Sequence, residues 1–98
     1  MNIPTKIKIK DSVYSTKVVD ALDCKRGEID FINKTITIGK RSSAGFKYSK
    51  KERAATMLHE IVHAVLKELN HKQHADEKFV GPLAEEIAAA LKQCGVHL

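Results

Sequence analysis

The stretch Thr56-Met57-Leu58-His59-Glu60-Ile61-Val62-His63-Ala64 places two imidazoles one helical turn apart within apolar surroundings. On a 3.6-residue helix, positions i and i+4 share a face, so His59 and His63 can aim two ring nitrogens at one tetrahedral metal. Glu60 is one residue beyond the first histidine and about 100° around the helix, where a carboxylate reaches a metal-held water without occupying the metal. Zinc lowers the pKa of such a water towards roughly 7, and the carboxylate can take its proton as the oxygen attacks a carbonyl. The H-E-x-x-H spacing therefore points to Zn2+ held by His59 and His63, with Glu60 as general base.

A solvated polar face would show the same three residues, and the context argues against it. Leu58, Ile61, Val62, Val65 and Leu69 recur at i, i+3, i+4, i+7 and i+11, which gives the helix a buried side. Ser49 with Glu52 is a capping-box signature for the start, and Asn70 after Lys67 suits the end. The spacing predicts one helix over about residues 49–69, with the motif in its middle.

Upstream of this helix the period is two. Ile7 and Ile9 alternate with Lys6, Lys8 and Lys10, the pattern of a strand with one wet face. Asp11-Ser12 marks a turn, and Val13 to Val19 alternates as the second strand of a hairpin. Gly27 interrupts the chain. Glu28 to Phe31 and Thr35 to Ile38 then flank Asn33-Lys34 as a second hairpin ending at Gly39. A basic loop from Lys40 to Lys47 leads into the motif helix. A polar connector with His71, Lys72 and His74 leads out of it to a second helix, which runs towards Gln93 with Val80, Leu83, Ala84, Ile87 and Leu91 at helical spacing. Strands first and helices after predict one α+β domain over residues 1–98, a small antiparallel sheet of three to four strands followed by two helices.

Composition sets the class. The chain has 98 residues, 43% of them hydrophobic, enough for one small core. Its formal net charge is +5, from 17 basic residues spread along the chain with clusters at Lys25-Arg26, Lys40-Arg41 and Lys50-Lys51-Arg53. No interleaved aromatics or nucleic-acid motif accompany them. The charge favours solubility first, an acidic partner second and nucleic acid least. The opening Met-Asn-Ile-Pro-Thr-Lys lacks an apolar h-region, no run is long enough to cross a bilayer, and Cys24 and Cys94 form no paired framework. A cytoplasmic protein with reduced thiols and no membrane partner is the expectation.

Two histidines leave a catalytic metal site one protein ligand short. A third histidine six residues after the second is ruled out, because Leu66 and Leu69 stand where that pattern needs Gly and His. The second helix offers Glu77, Glu85 and Glu86. At 100° per residue, Glu77 lies nearer the direction of Val80, Ala84, Ile87 and Leu91 than Glu86 does, and Glu85 points to the far side. Glu77 is the preferred ligand, with Asp76 as a helix cap. Pro82 lacks the N–H of a helix interior, and a helix beginning there would favour Glu86 instead. His71 and His74 offer a further alternative, although exposed loop histidines are commoner. Cys94 with His97 is a weaker pair. Tyr14 and Tyr48 are candidates for stabilising an oxyanion, against ordinary packing roles for both.

An alternating strand with Tyr14, then Gly27-Glu28-Ile29-Asp30, Thr35-Ile36-Thr37-Ile38, the motif stretch, and a last helix opening Asp76-Glu77-Lys78-Phe79-Val80 follow in a telling order. That order resembles the small zincin-like metallopeptidases encoded by phages and prophages, distant relatives of the ImmA/IrrE group. The resemblance spans nearly the whole chain. It implies a minimal gluzincin-like domain in the host cytoplasm, with His59, His63 and Glu77 as zinc ligands, Glu60 as base, and a protein or peptide as substrate. The expected substrate pose is extended beside an edge strand at Thr35 to Ile38. The alternative is a zinc-stabilised binding module acting on a host or phage regulator, for which an intact Glu60 has no use.

Overall fold

Alternation in the first forty residues folds as two hairpins, and the two helical patterns fold as two helices. The computed structural model describes residues 3–96. Its elements are β1 (Lys6–Ile9), β2 (Ser12–Ala21), β3 (Gly27–Asp30), β4 (Thr35–Arg41), α1 (Lys50–Glu68) and α2 (Glu77–Gln93). The α+β class with a four-stranded sheet ahead of two helices is as the sequence predicts. No helix among the described residues is long and apolar enough to cross a membrane.

The sheet itself is mixed, which corrects the antiparallel expectation. Its order is β1-β2-β4-β3; β1 with β2 and β3 with β4 are antiparallel hairpins, whereas β2 and β4 run parallel. Burial explains the join. Ile36, Thr37, Ile38 and Gly39 of β4 are all buried, a run suited to a central strand, whereas β3 carries the exposed Glu28 and Asp30 that suit an edge. The second hairpin therefore docks by β4, and β3 is left outermost. At the opposite edge, β1 presents the exposed Lys6 and Lys8, which discourage pairing with another chain. Thr35 to Ile38 accordingly lie inside the sheet and offer no free edge; the edge strand on that side is β3.

The α1 helix begins and ends on local chemistry. Ser49 and Glu52 form a reciprocal capping box. At the other end Asn70 adopts φ 58°, with Asn70 N–H bonding Lys67 O at 3.0 Å and His71 N–H bonding Leu66 O at 2.8 Å, a Schellman closure in which Asn takes the left-handed position. Leu69, expected in the buried stripe, is 58% exposed because the helix closes just before it. Two sides of α1 are covered. Met57, Ile61, Ala64 and Val65 face Ile9, Tyr14, Ile36 and Ile38 of the sheet, while Leu58, Val62 and Leu66 meet Phe79, Val80, Leu83, Ala84 and Ile87 of α2.

Asp76 caps α2, its side chain accepting from Lys78 N–H at 2.9 Å, and the helix is regular from Glu77, so it does not wait for Pro82. Pro82 is exposed, where water can serve the carbonyl it leaves unbonded. Its ring also disfavours a helical residue with a Cβ just before it, which Gly81 avoids.

A polar cluster ties the far end of α1 to the sheet. Glu68 accepts from Ser12 Oγ at 2.7 Å and from Tyr14 OH at 2.8 Å, and Lys34 Nζ donates to Ser12 at 2.6 Å. The two hydroxyl donors hold the Glu68 carboxyl below its ordinary range. Burial, with the adjacent Glu68 carboxylate, pushes the Tyr14 phenol up from 10.0 to about 12. A folded pKa above the unfolded one gives stability that is full below the unfolded value and lost as pH rises through the folded one. Tyr14→Phe should lower stability to urea by about 1–2 kcal/mol at neutral pH. It should also remove part of the wild type's loss of stability between pH 10 and about 12. Equal alkaline slopes in the two proteins would contradict this assignment.

Candidate metal centre

Helix periodicity in α1 and capping in α2 bring three side chains to one point. His59 Nε2 lies 2.9 Å from Glu77 Oε2, His63 Nε2 lies 2.6 Å from Glu77 Oε1, and the two Nε2 atoms are 3.2 Å apart. Ligand atoms about 2.0–2.1 Å from a tetrahedral ion are separated by about 3.3 Å, so small side-chain adjustments fit one. Among the described residues, His59, His63 and Glu77 are the one group of this kind able to hold a metal ion. Glu77 reaches the point because Asp76 caps α2 and leaves Glu77 as its first residue, facing α1 across the connector.

The donor chemistry favours a cation. His63 Nδ1 donates its proton to the backbone carbonyl of His74 at 2.6 Å, which fixes the tautomer and turns the Nε2 lone pair inward. That nitrogen faces a carboxylate oxygen at 2.6 Å, an arrangement that calls for a proton or a metal ion between them. A metal ion meets this need for all three groups at once. Phe31 holds the imidazoles from the side, edge-on to His63 with ring centroids 6.4 Å apart and to His74 at 5.1 Å.

Glu60 lies beside this point and is only 6% exposed. Burial pushes its carboxyl above the ordinary carboxylate range. The carboxylate has room because β3 opens with a glycine. A Cβ at Gly27 would stand 2.6 Å from Thr56 Cγ2 and 3.2 Å from Glu60 Oε2. These groups line a cleft of about 730 Å³, floored by α1 and walled by β3 on one side and by Glu77, Gly81, Ala84, Glu85 and Ala88 of α2 on the other.

Several sequence candidates fall elsewhere. Glu86 is about 180° around α2 from Glu77 and does not line the cleft. Glu85, read as facing away, stands on the cleft wall, because the cleft flanks the apolar stripe on the side carrying Glu85. His71 and His74 build the connector: His71 stacks on Phe79 at 5.2 Å and accepts from Gln73 N–H, while the backbone carbonyl of His74 serves His63. Tyr14 is sealed under α1 against Glu68, and Tyr48 lies beneath the Arg26 guanidinium, so neither faces the metal-ligand point. Cys94 caps α2 and is exposed; His97 lies outside the described residues. Three contributors were missed. Gly27 had a signal, since an isolated glycine opening a strand marks a close backbone approach. Phe31 and the His74 carbonyl had none, being placed by turns.

Comparison of the chain with family models, with curated proteins and with solved structures finds no match in any of the three.

Because a Cβ at Gly27 has no room, Gly27→Ala should lower stability by about 1–3 kcal/mol, the usual effect of overpacking. Thr56→Ser, which removes the Cγ2 in closest conflict, should restore part of it. Denaturant midpoints of the two single variants and the double variant check this, and strict additivity would contradict the close approach.

Proposed function

We propose that the chain is a zinc-dependent peptidase of the zincin kind, acting on a protein or peptide substrate. The observation that carries this reading is the convergence of His59, His63 and Glu77 on one point beside a buried carboxylate, inside a cleft bounded by an edge strand. Two neutral imidazoles and one carboxylate with an open position are the donor set of a catalytic zinc. When bound there, zinc supplies Lewis acidity to a carbonyl oxygen and acidifies water.

The chain's own residues do the rest. Glu60 takes the proton from the attacking water and passes it to the leaving amine, and its burial, which raises its proton affinity, favours such two-way transfer. His63 is held in one tautomer by His74, and Phe31 shields that pair. An extended substrate pairs its backbone with the free edge of β3 and crosses the α1 floor with its scissile carbonyl near His59 and His63. This pose replaces the one along Thr35 to Ile38, whose strand is enclosed on both sides.

Wild-type protein should retain about one zinc per chain, and chelation should lower its melting temperature, because the metal binds only the folded site. His59→Ala and Glu77→Ala should lose the metal, while Glu86→Ala should keep it. Retention by Glu77→Ala would remove α2 from the site. Glu60→Gln should keep zinc and melting temperature and lower proteolysis by orders of magnitude. Cleavage at the wild-type rate by that variant would rule Glu60 out as the base.

A further inference from the structure

One end of the cleft leads onto a basic, aromatic-tipped surface that the peptidase chemistry does not use. Between Asp30 and Glu52 the chain has no acidic residue and carries Lys34, Lys40, Arg41, Lys47, Lys50 and Lys51. Arg41 and Lys47 are bridged across a tight hairpin whose tip is braced by Ser42 N–H to Phe46 O at 2.8 Å, Gly45 N–H to Ser42 O at 2.9 Å and Phe46 N–H to Ser42 Oγ at 3.0 Å. Gly45 sits at φ +96°, a left-handed conformation that glycine adopts without strain. The tip holds Phe46 out at 75% exposure. A large apolar ring fixed in water by a rigid turn suits contact with a partner better than it suits the free chain.

The neighbouring acids neutralise only part of this surface. Asp20 pairs with Arg41 at 3.0 Å, and Glu52 pairs with Arg26 at 3.3 Å while also closing the capping box. Lys40, Lys47, Lys50 and Lys51 are exposed and have no ion pair among the described residues. The surface is continuous with the cleft. Arg26 lines the cleft, its guanidinium lies 4.9 Å over the Tyr48 ring, and Tyr48 N–H bonds Lys40 O at the base of the hairpin.

We infer that the Arg41–Lys47 hairpin, with Lys50 and Lys51 at the start of α1, docks an acidic peptide segment bearing an apolar side chain that packs on Phe46. On the peptidase reading above, on which this occupant rests, that segment is the flank of the substrate. Glu52, beside Arg26, precedes His59 by seven residues of helix, or about 10 Å, a span of roughly three extended residues. The acidic flank thus begins about three residues from the scissile bond. Nucleic acid fits less well. The face of Tyr48 is already taken by Arg26, leaving Phe46 without the row of aromatic platforms that single strands favour.

The test is fluorescence anisotropy with three labelled probes: a glutamate peptide with one central Phe, the same peptide with Gln for every Glu, and an oligothymidylate of equal charge. Wild-type protein should bind the glutamate peptide at least tenfold tighter than the glutamine control, with affinity falling as salt rises. The double variant Lys47→Glu, Lys51→Glu should lose tenfold or more, and Phe46→Ser should lose severalfold with an unchanged salt slope. Equal binding of the two peptides, or wild-type affinity in both variants, would overturn the proposal. Tighter binding of the oligothymidylate would overturn it too, and assign the surface to nucleic acid. The two readings have separate readouts, zinc content of the wild-type protein for one and peptide anisotropy for the other. Intact peptide binding in a protein that takes up no zinc would therefore reject only the peptidase reading, and zinc uptake without peptide binding would reject only the docking surface.

Discussion

The hydrogen bond from His63 Nδ1 to the carbonyl of His74, at 2.6 Å, is the contact on which the site depends. It links the middle of α1 to the connector that launches α2, and it leaves the His63 Nε2 lone pair facing the carboxylate of Glu77. Without it the imidazole could turn or change tautomer, and three groups that now converge would separate. The bond exists because α1 closes in a Schellman turn at Asn70, which folds the connector back beside the helix it has just left. A local cap thereby determines a distant geometry.

Covering α1 on two sides gives the site its electrostatic character. The sheet takes the Met57 and Ala64 side, and α2 takes the Val62 side. His63 and Glu60, between these contacts, are buried to 3% and 6% exposure. Buried polar groups need partners. His63 finds the His74 carbonyl and Glu77, whereas Glu60 faces the cleft from the pocket that Gly27 leaves open. The sheet order serves the same end, since placing the buried β4 inside puts the shorter, charged β3 at the edge that borders the cleft.

Helices, caps and hairpins were legible in the sequence because each rests on local chemistry: alternation in Lys6 to Ile9, the Ser49/Glu52 box, the left-handed Asn70, and Asp76 ahead of α2. The pair His59 and His63 was legible for the same reason. The apolar stripe of α2 fixes its rotation, and with it the position of Glu77, rather than Glu86, beside His59 and His63. The stripe says which face is buried but not on which side of it a cleft opens, so Glu85 was placed wrongly. Strand order lay beyond local signals too. Nothing within either hairpin states that β4, and not β3, docks on β2; that choice follows from how much of β4 is buried after the sheet has formed. The third contributor to the His63 environment is a backbone carbonyl, which no side-chain pattern announces.

X-ray absorption at the zinc edge of the metal-loaded protein tests the central claim most directly. The proposed site predicts two imidazole nitrogens and two oxygens, one of them from Glu77, at about 2.0–2.2 Å in four-coordinate geometry, and no zinc bound in His63→Ala. A sulfur shell near 2.3 Å, a six-oxygen environment, or a spectrum unchanged in His63→Ala would contradict it.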